Sequence, residues 1–177
     1  MRDQVNLKRL VIAAMLLAMQ VLLSFISIPI GDMLRVSFGY IALATTGMLL
    51  GPVTAAASGA LADVLGYLVK PTGPYFIGFT ITGFVGGLIY GLMLYNRRPS
   101  VKRILLTKLL IDIICNLFLN TLWLNLLYGK AFFAVLPARV LKNLCQYPVD
   151  VLLLYPLLTR IDKLVPKLGI RSEHHAR

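Results

Sequence analysis

Long uncharged runs of hydrophobic residues alternate with short polar breaks along most of this chain. A helix that crosses a bilayer needs about 20 such residues, because each adds ~1.5 Å against a hydrocarbon layer roughly 30 Å thick. The first uncharged run, Leu10 to Gly31, has that length. It is too long for the apolar core of a signal peptide, and further apolar runs follow it. It therefore predicts a first membrane helix over 7–30. The next run, Val36 to Ala62, is interrupted by Gly51-Pro52. Glycine ends helices and proline opens them, which divides this run into helices over 38–50 and 52–69. Lys70-Pro71-Thr72-Gly73-Pro74 reads as a turn, and a fourth helix follows over 75–95. The cluster Asn96 to Arg103 is an aqueous loop. A fifth helix over 104–128 is broken by Gly129-Lys130, a sixth runs over 133–160, and residues 161–177 form a basic tail. The expectation is an all-α polytopic membrane protein, a single integral membrane domain over 1–177 with six transmembrane helices.

Composition supports that solvent. The 177 residues are 58% hydrophobic and 14% charged, with a mean hydropathy of +0.80, against about 45–50% and roughly 25% in soluble domains. The net charge of +11 does not point to nucleic acid, because the cations flank apolar spans instead of lining a soluble face. Six helices put both termini on one side. Arg2, Lys8, Arg9, Arg97, Arg98, Lys102, Arg103, Lys108, Arg160, Lys163, Lys167, Arg171 and Arg177, 13 of the 18 cations, then share that side. The positive-inside rule makes it cytoplasmic. Cys115 and Cys145 fall in apolar stretches and read as free thiols, and the tail residues His174 and His175 carry no catalytic or metal role.

Ionic and amide side chains inside spans are costly and by default line a cavity or pair with one another. Lys108, Asp112, Asn116 and Asn120 recur every four residues, with Trp123 continuing that face. Arg139, Lys142, Asn143, Gln146 and Asp150 make a second stripe on the sixth helix. Antiparallel packing would bring Asn120 and Trp123 level with Arg139 and Asn143 in the outer half, where Arg35 and Asp63 also fall. One reading is an outward-facing polar pocket; the other is interhelical hydrogen bonding that glues the bundle. For Asp112 and Asp150 the second is preferred, because Lys108 stands four residues from Asp112. Arg35 lies in an alternating segment, Asp32 to Phe38, where a snorkelling anchor and a pocket residue are equal readings. Asp63 stands one turn before Tyr67, with a salt bridge to Arg35 or Arg139 as the structural alternative to a ligand. Ala14 and Ala18, beside Ala13, form a small-residue face suited to docking another membrane protein, whereas Gly83, Gly87 and Gly91 suit internal packing.

The blocks Leu34-Arg35-Val36-Ser37-Phe38-Gly39-Tyr40-Ile41, Gly47-Met48-Leu49-Leu50-Gly51-Pro52 and Gly59-Ala60-Leu61-Ala62-Asp63-Val64-Leu65-Gly66-Tyr67 resemble the substrate-binding S components of energy-coupling factor (ECF) vitamin transporters. The continuation Pro71-Thr72-Gly73-Pro74-Tyr75-Phe76-Ile77-Gly78-Phe79-Thr80 is similar to the folate-specific branch and is the most specific block. The resemblance runs from the first helix to the sixth and is thinnest over the last two. It implies a six-helix bundle in a bacterial cell membrane that binds one vitamin from outside. Such a protein works with a transmembrane coupling protein and two ATP-binding cassette ATPases. By the same resemblance, Ala14 and Ala18 match an alanine motif that contacts the coupling protein. The chain itself lacks G-x-x-x-x-G-K-[ST], so ATP hydrolysis falls to partners.

A pterin ring suits stacking on Trp123, Phe79 or Tyr75, with Phe76 beside them, and its paired donors suit Asp63 or the Asn120 amide. Glutamate-tail carboxylates suit Arg35, Arg139 or Lys142. Tyr67, Thr80 and Asn143 complete the candidate ligand set. For the aromatics, a membrane-interface belt is the alternative. The outer excess of Arg35, Lys70, Lys130, Arg139 and Lys142 over Asp32 and Asp63 favours an anionic ligand above cationic thiamine. Another vitamin of the same class, thiamine or riboflavin, is the runner-up, followed by a membrane assembly protein without a ligand. An intramembrane enzyme is disfavoured. Ser58 lacks a Gly-x-Ser-Gly context, no histidine lies in a span, and H-E-x-x-H is absent. No catalytic residue, metal or cofactor is expected.

Overall fold

The computed structural model describes residues 2–30, 34–71, 75–128 and 132–168. Among them the chain folds into six helical rods and one short hairpin. The helices are α1 (Arg2–Phe25), α2 (Gly39–Leu50), α3 (Pro52–Val69), α4 (Ile77–Leu94), α5 (Val101–Ile111), α6 (Asn120–Tyr128) and α7 (Phe132–Leu168). A π-helical segment, Asp112–Leu119, joins α5 to α6 into one rod. The hairpin pairs β1 (Ser27–Ile30) with β2 (Leu34–Ser37), antiparallel, with Ile28 opposite Val36 and Pro29 opposite Arg35.

The hairpin corrects the expected end of the first helix at residue 30. Pro29 would remove a helical hydrogen bond and collide with the Phe25 carbonyl, and Ile26, Ile28 and Ile30 favour extended backbone. A two-stranded ribbon has only edges, where proline is tolerated. The alternating Asp32–Phe38 segment was the visible trace of it. The fourth helix starts at Ile77, not 75, the fifth rod starts at Val101, not 104, and α7 continues to Leu168, eight residues past the expected end at 160. At 37 residues, α7 is about 55 Å long. It outruns the hydrocarbon layer.

Among the described residues, four rods are long and apolar enough to cross a membrane: Leu7–Phe25, Pro52–Val69, Ile77–Leu94 and Val101–Leu127. Gly39–Leu50 is apolar but shorter. Gly51 separates α2 from α3 with φ of 96°, a left-handed conformation that glycine adopts without a Cβ clash, and Pro52 opens the next helix.

The α3–α4 contact is made backbone to backbone. A Cβ at Gly59 would meet the Gly83 carbonyl, one at Gly87 the Ala55 carbonyl, and one at Gly91 the backbone of Pro52. Gly83, Gly87 and Gly91 thus serve internal packing. Close approach of this kind is how helices associate in lipid, where lipid tails compete equally for apolar side chains. The apolar core, including Met48, Tyr90, Leu94, Ile104, Leu154 and Leu158, lies toward the end opposite the hairpin. Both free cysteines are confirmed, Cys115 buried and Cys145 exposed.

Gly87→Ala should lower the melting temperature of the detergent-solubilised protein, because overpacking costs about 1–3 kcal/mol. Gly66→Ala is the control: a Cβ there meets nothing within 4 Å, and alanine gains up to ~1 kcal/mol of helix propensity. A scanning-fluorimetry melt should therefore move the two variants in opposite directions, or leave Gly66→Ala unchanged.

Candidate functional site at the hairpin end

Two small clusters flank the start of α4, one on its α3 side and the other on its α6 side. In the first, Thr80 donates its hydroxyl proton to Asp63 Oδ2 at 2.6 Å. Thr80 Oγ1 and the Tyr75 hydroxyl are 2.8 Å apart. With its single proton given to the carboxylate, Thr80 accepts from Tyr75. The Tyr75 ring packs on Tyr67 at 5.2 Å between centroids. Asp63 is half-buried and Tyr75 exposed, so the carboxylate can be reached from one side.

The second cluster is aromatic. Phe76 packs against Phe79 at 6.0 Å, edge-on, and against Trp123 at 5.7 Å. Gly78 creates the room: a Cβ there would meet the Phe76 ring and, at 2.5 Å, Trp123 Cδ2. The indole N–H donates to Thr82 Oγ1 at 3.0 Å, and Thr82 in turn donates to the Gly78 carbonyl at 3.0 Å. An indole in an apolar setting needs such an acceptor. Thr82 was not singled out from the sequence; the one available signal was that need.

The fifth-rod stripe is a hydrogen-bonded ladder. Asn120 Nδ2 lies 3.5 Å from Asn116 Oδ1, and Asn116 Nδ2 donates to Asp112 Oδ1 at 2.7 Å. Below them Lys108 Nζ sits 3.0 Å from Asp112 and 2.7 Å from Asp150. All three are buried, at 4%, 6% and 1% exposure. Gln146 donates to Asp150 at 3.3 Å, and the Lys108 ammonium stands 5.2 Å from the Tyr40 ring centre. The expected Lys108–Asp112 pairing is present, with Asp150 as a second partner. Lys108 is corrected in one respect: it is a buried charge, not one of the cations at the rod's end.

Asp63, Tyr67, Tyr75 and Thr80 are thus brought together on the α3 side of α4, Phe79 and Trp123 lie with Phe76 on its α6 side, and Asn120 belongs to the ladder beneath Trp123. Asn143 on α7 is half-buried, its Nδ2 without a partner among the described residues. The side chains of Arg35, Arg139 and Lys142 lie outside the described residues. A salt bridge to Asp63 from either arginine is therefore not described; its described partner is Thr80. On α1, Ala14 and Ala18 are exposed and Ala13 half-buried. Gln20 faces inward and accepts from Ser58 at 3.2 Å. A groove of about 660 Å³ lies away from the hairpin end, between α5 and α7.

The family model described as "ECF transporter, substrate-specific component" matches residues 8–158. The folate transporter FolT of Clostridium novyi is 41% identical over 131 residues, covering 74% of this chain and 76% of that protein. FolT of Leuconostoc mesenteroides is 31% identical over 161 residues, covering 88% and 86%. A crystal structure of FolT bound with folic acid superimposes with a TM-score of 0.81 at 34% identity, over 86% of this chain and 93% of that one.

Lys108→Met should destabilise the fold strongly, since removing one partner of a buried ion pair costs about 3–5 kcal/mol. Thermal unfolding of the purified variant checks it. Simultaneous Lys108→Met, Asp112→Asn and Asp150→Asn replacement should recover part of the loss, because no buried charge is then left alone.

Proposed function

The chain belongs to the substrate-specific components of ECF transporters, and from that premise we propose that it binds folate from outside the cell for ATP-driven import. The observation that carries this reading is the agreement of sequence and fold with folate transporters, above all the 34% identity and TM-score of 0.81 to FolT bound with folic acid. A different vitamin of the class has no comparable support.

On this reading the single membrane domain crosses six times with both termini in the cytoplasm, which follows from the cation distribution. The hairpin end faces outward. Trp123, held by Thr82, and the Phe76–Phe79 pair offer faces on which a pterin stacks. Asp63 supplies acceptor oxygens for the pterin's paired N–H donors, with Thr80 and Tyr75 orienting it and Tyr67 backing Tyr75. Asn120 and Asn143 add amides. Arg35, Arg139 and Lys142 take the glutamate carboxylates through charge-assisted bonds. The chain hydrolyses no ATP. It delivers its ligand through a transmembrane coupling protein and two ATP-binding cassette ATPases, with the exposed Ala14–Ala18 face of α1 as the docking strip.

Isothermal titration of the purified protein without ATP should give 1:1 heat with folate and none with thiamine or riboflavin; heat with only the latter two removes the folate assignment. Arg35→Ala and Asp63→Asn should each weaken folate binding by about 10–100-fold, the weight of a lost hydrogen bond to a charged group. Ala14→Trp or Ala18→Trp should leave folate affinity unchanged while abolishing uptake and co-purification with the coupling protein. Continued transport by those variants would remove the docking assignment.

A further inference from the structure

The α5–α7 groove is unused by the folate site. Val101 and Leu105 form one wall, and Tyr147, Val151, Leu152 and Tyr155 the other, around about 660 Å³. Its polar atoms are turned inward: the Tyr147 hydroxyl donates to the Leu105 carbonyl at 2.8 Å, leaving an apolar channel. Leu152 is 75% exposed and Val101 42%, so the channel opens sideways onto the lipid. In water such a groove would invite a partner. Within a bilayer the medium itself offers acyl chains.

Charge at one end distinguishes this groove from ordinary lipid-facing surface. Val101 is the first residue of α5, and Arg97, Arg98, Lys102 and Arg103 surround it in the chain. Arg97, Arg98 and Lys102 are exposed, and Arg103 is tied to the Arg98 carbonyl at 2.8 Å. Beyond Tyr155, α7 brings exposed Arg160 and Lys163 within its next turns. Six cations stand in these two stretches against one carboxylate, Asp162. Clusters of four or more basic residues just beyond a membrane span recognise anionic headgroups, with each contributing a measurable share.

We infer that the α5–α7 groove is a binding site for an anionic phospholipid, one acyl chain lying along the groove and the phosphate held at the basic rim of Arg97, Arg98 and Lys102. The inference needs the chain to lie in a membrane but does not rest on the folate reading. Both parts of the ligand follow from the surface. An apolar channel alone would take any chain, and a basic loop alone would take any soluble anion. Their continuity at Val101 selects a molecule that is both.

Native mass spectrometry of the delipidated protein, titrated with phosphatidylglycerol or phosphatidylcholine of identical chains, tests it. The expected result is a 1:1 phosphatidylglycerol adduct that exceeds the phosphatidylcholine adduct at least tenfold. Arg97→Gln/Arg98→Gln/Lys102→Gln should bring that preference close to unity, since each cation near the surface contributes up to about fivefold. Leu152→Trp, which fills the exposed groove wall, should reduce adducts of both lipids, and Val101→Trp repeats the test from the other wall. All variants should keep the wild-type melting temperature in detergent, which shows that the fold survives. Equal occupancy of the two lipids, or adducts unaltered in both tryptophan variants, overturns the site. Loss of coupling-protein assembly in Leu152→Trp with lipid adducts unchanged would assign the groove to that protein instead.

Discussion

A charged or amide side chain inside a bilayer has no water to turn to, so each one must be satisfied by the protein or by what the protein binds. This requirement sorts the polar residues of the chain into two populations. In the bundle interior, Lys108, Asp112, Asp150 and Gln146 bond to one another across α5, the π segment and α7. That network fixes the last helix against the fifth rod, and Tyr40 brings α2 to the same ammonium. At the hairpin end the groups are fewer and only partly covered. Asp63 has a threonine hydroxyl and no described cation, and Trp123 keeps its ring edges against Phe76 beside a glycine. One population holds helices together. The other is the one that the proposed function gives to a ligand.

Small residues divide in the same way. Gly59, Gly83, Gly87 and Gly91 are consumed by contact with the backbone of the facing helix, so nothing larger fits there. The alanines at 14 and 18 of α1 follow the same four-residue spacing yet face outward. A sequence pattern of small residues therefore states only that something approaches closely; burial decides whether that neighbour is the same chain.

The helical framework was legible because hydrophobic run length is a direct consequence of bilayer thickness, and Gly51-Pro52 marks a boundary that backbone chemistry requires. The hairpin was less so, since four-residue strands carry little periodicity and the apolar run of the first helix continues into β1. The π segment left a subtler trace. A strict spacing of four drifts about 40° per step around a 3.6-residue helix, so Lys108, Asp112, Asn116 and Asn120 should part company over three steps. A π turn closes by i→i+5 bonds and holds more residues, as in the bond from the Asn120 N–H to the Cys115 carbonyl. The widened turn cancels the drift and keeps the ladder in line. Spacing in the candidate site offered no such guide, because Asp63 reaches Thr80 only through the α3–α4 close approach and Trp123 is placed only by the single acceptor Thr82 on the other side of α4.

On the proposed function, the depth of these groups also orders a bound folate. Thr82 lies five residues into α4, about 8 Å below its first turn, and it fixes Trp123 at that level. Asp63 reaches Thr80, half a turn nearer the helix start. Arg35 belongs to β2, in the ribbon that caps this end. An aromatic ring desolvates cheaply, whereas ionised carboxylates keep much of their stability from water and cations. On the proposed function the orientation therefore has one favourable sense: pterin inward at the level of Trp123, and the glutamate toward the hairpin and the aqueous face. The reverse would bring two carboxylates to a level where the described partners are a threonine, an indole and asparagine amides, none of them able to offset the charge.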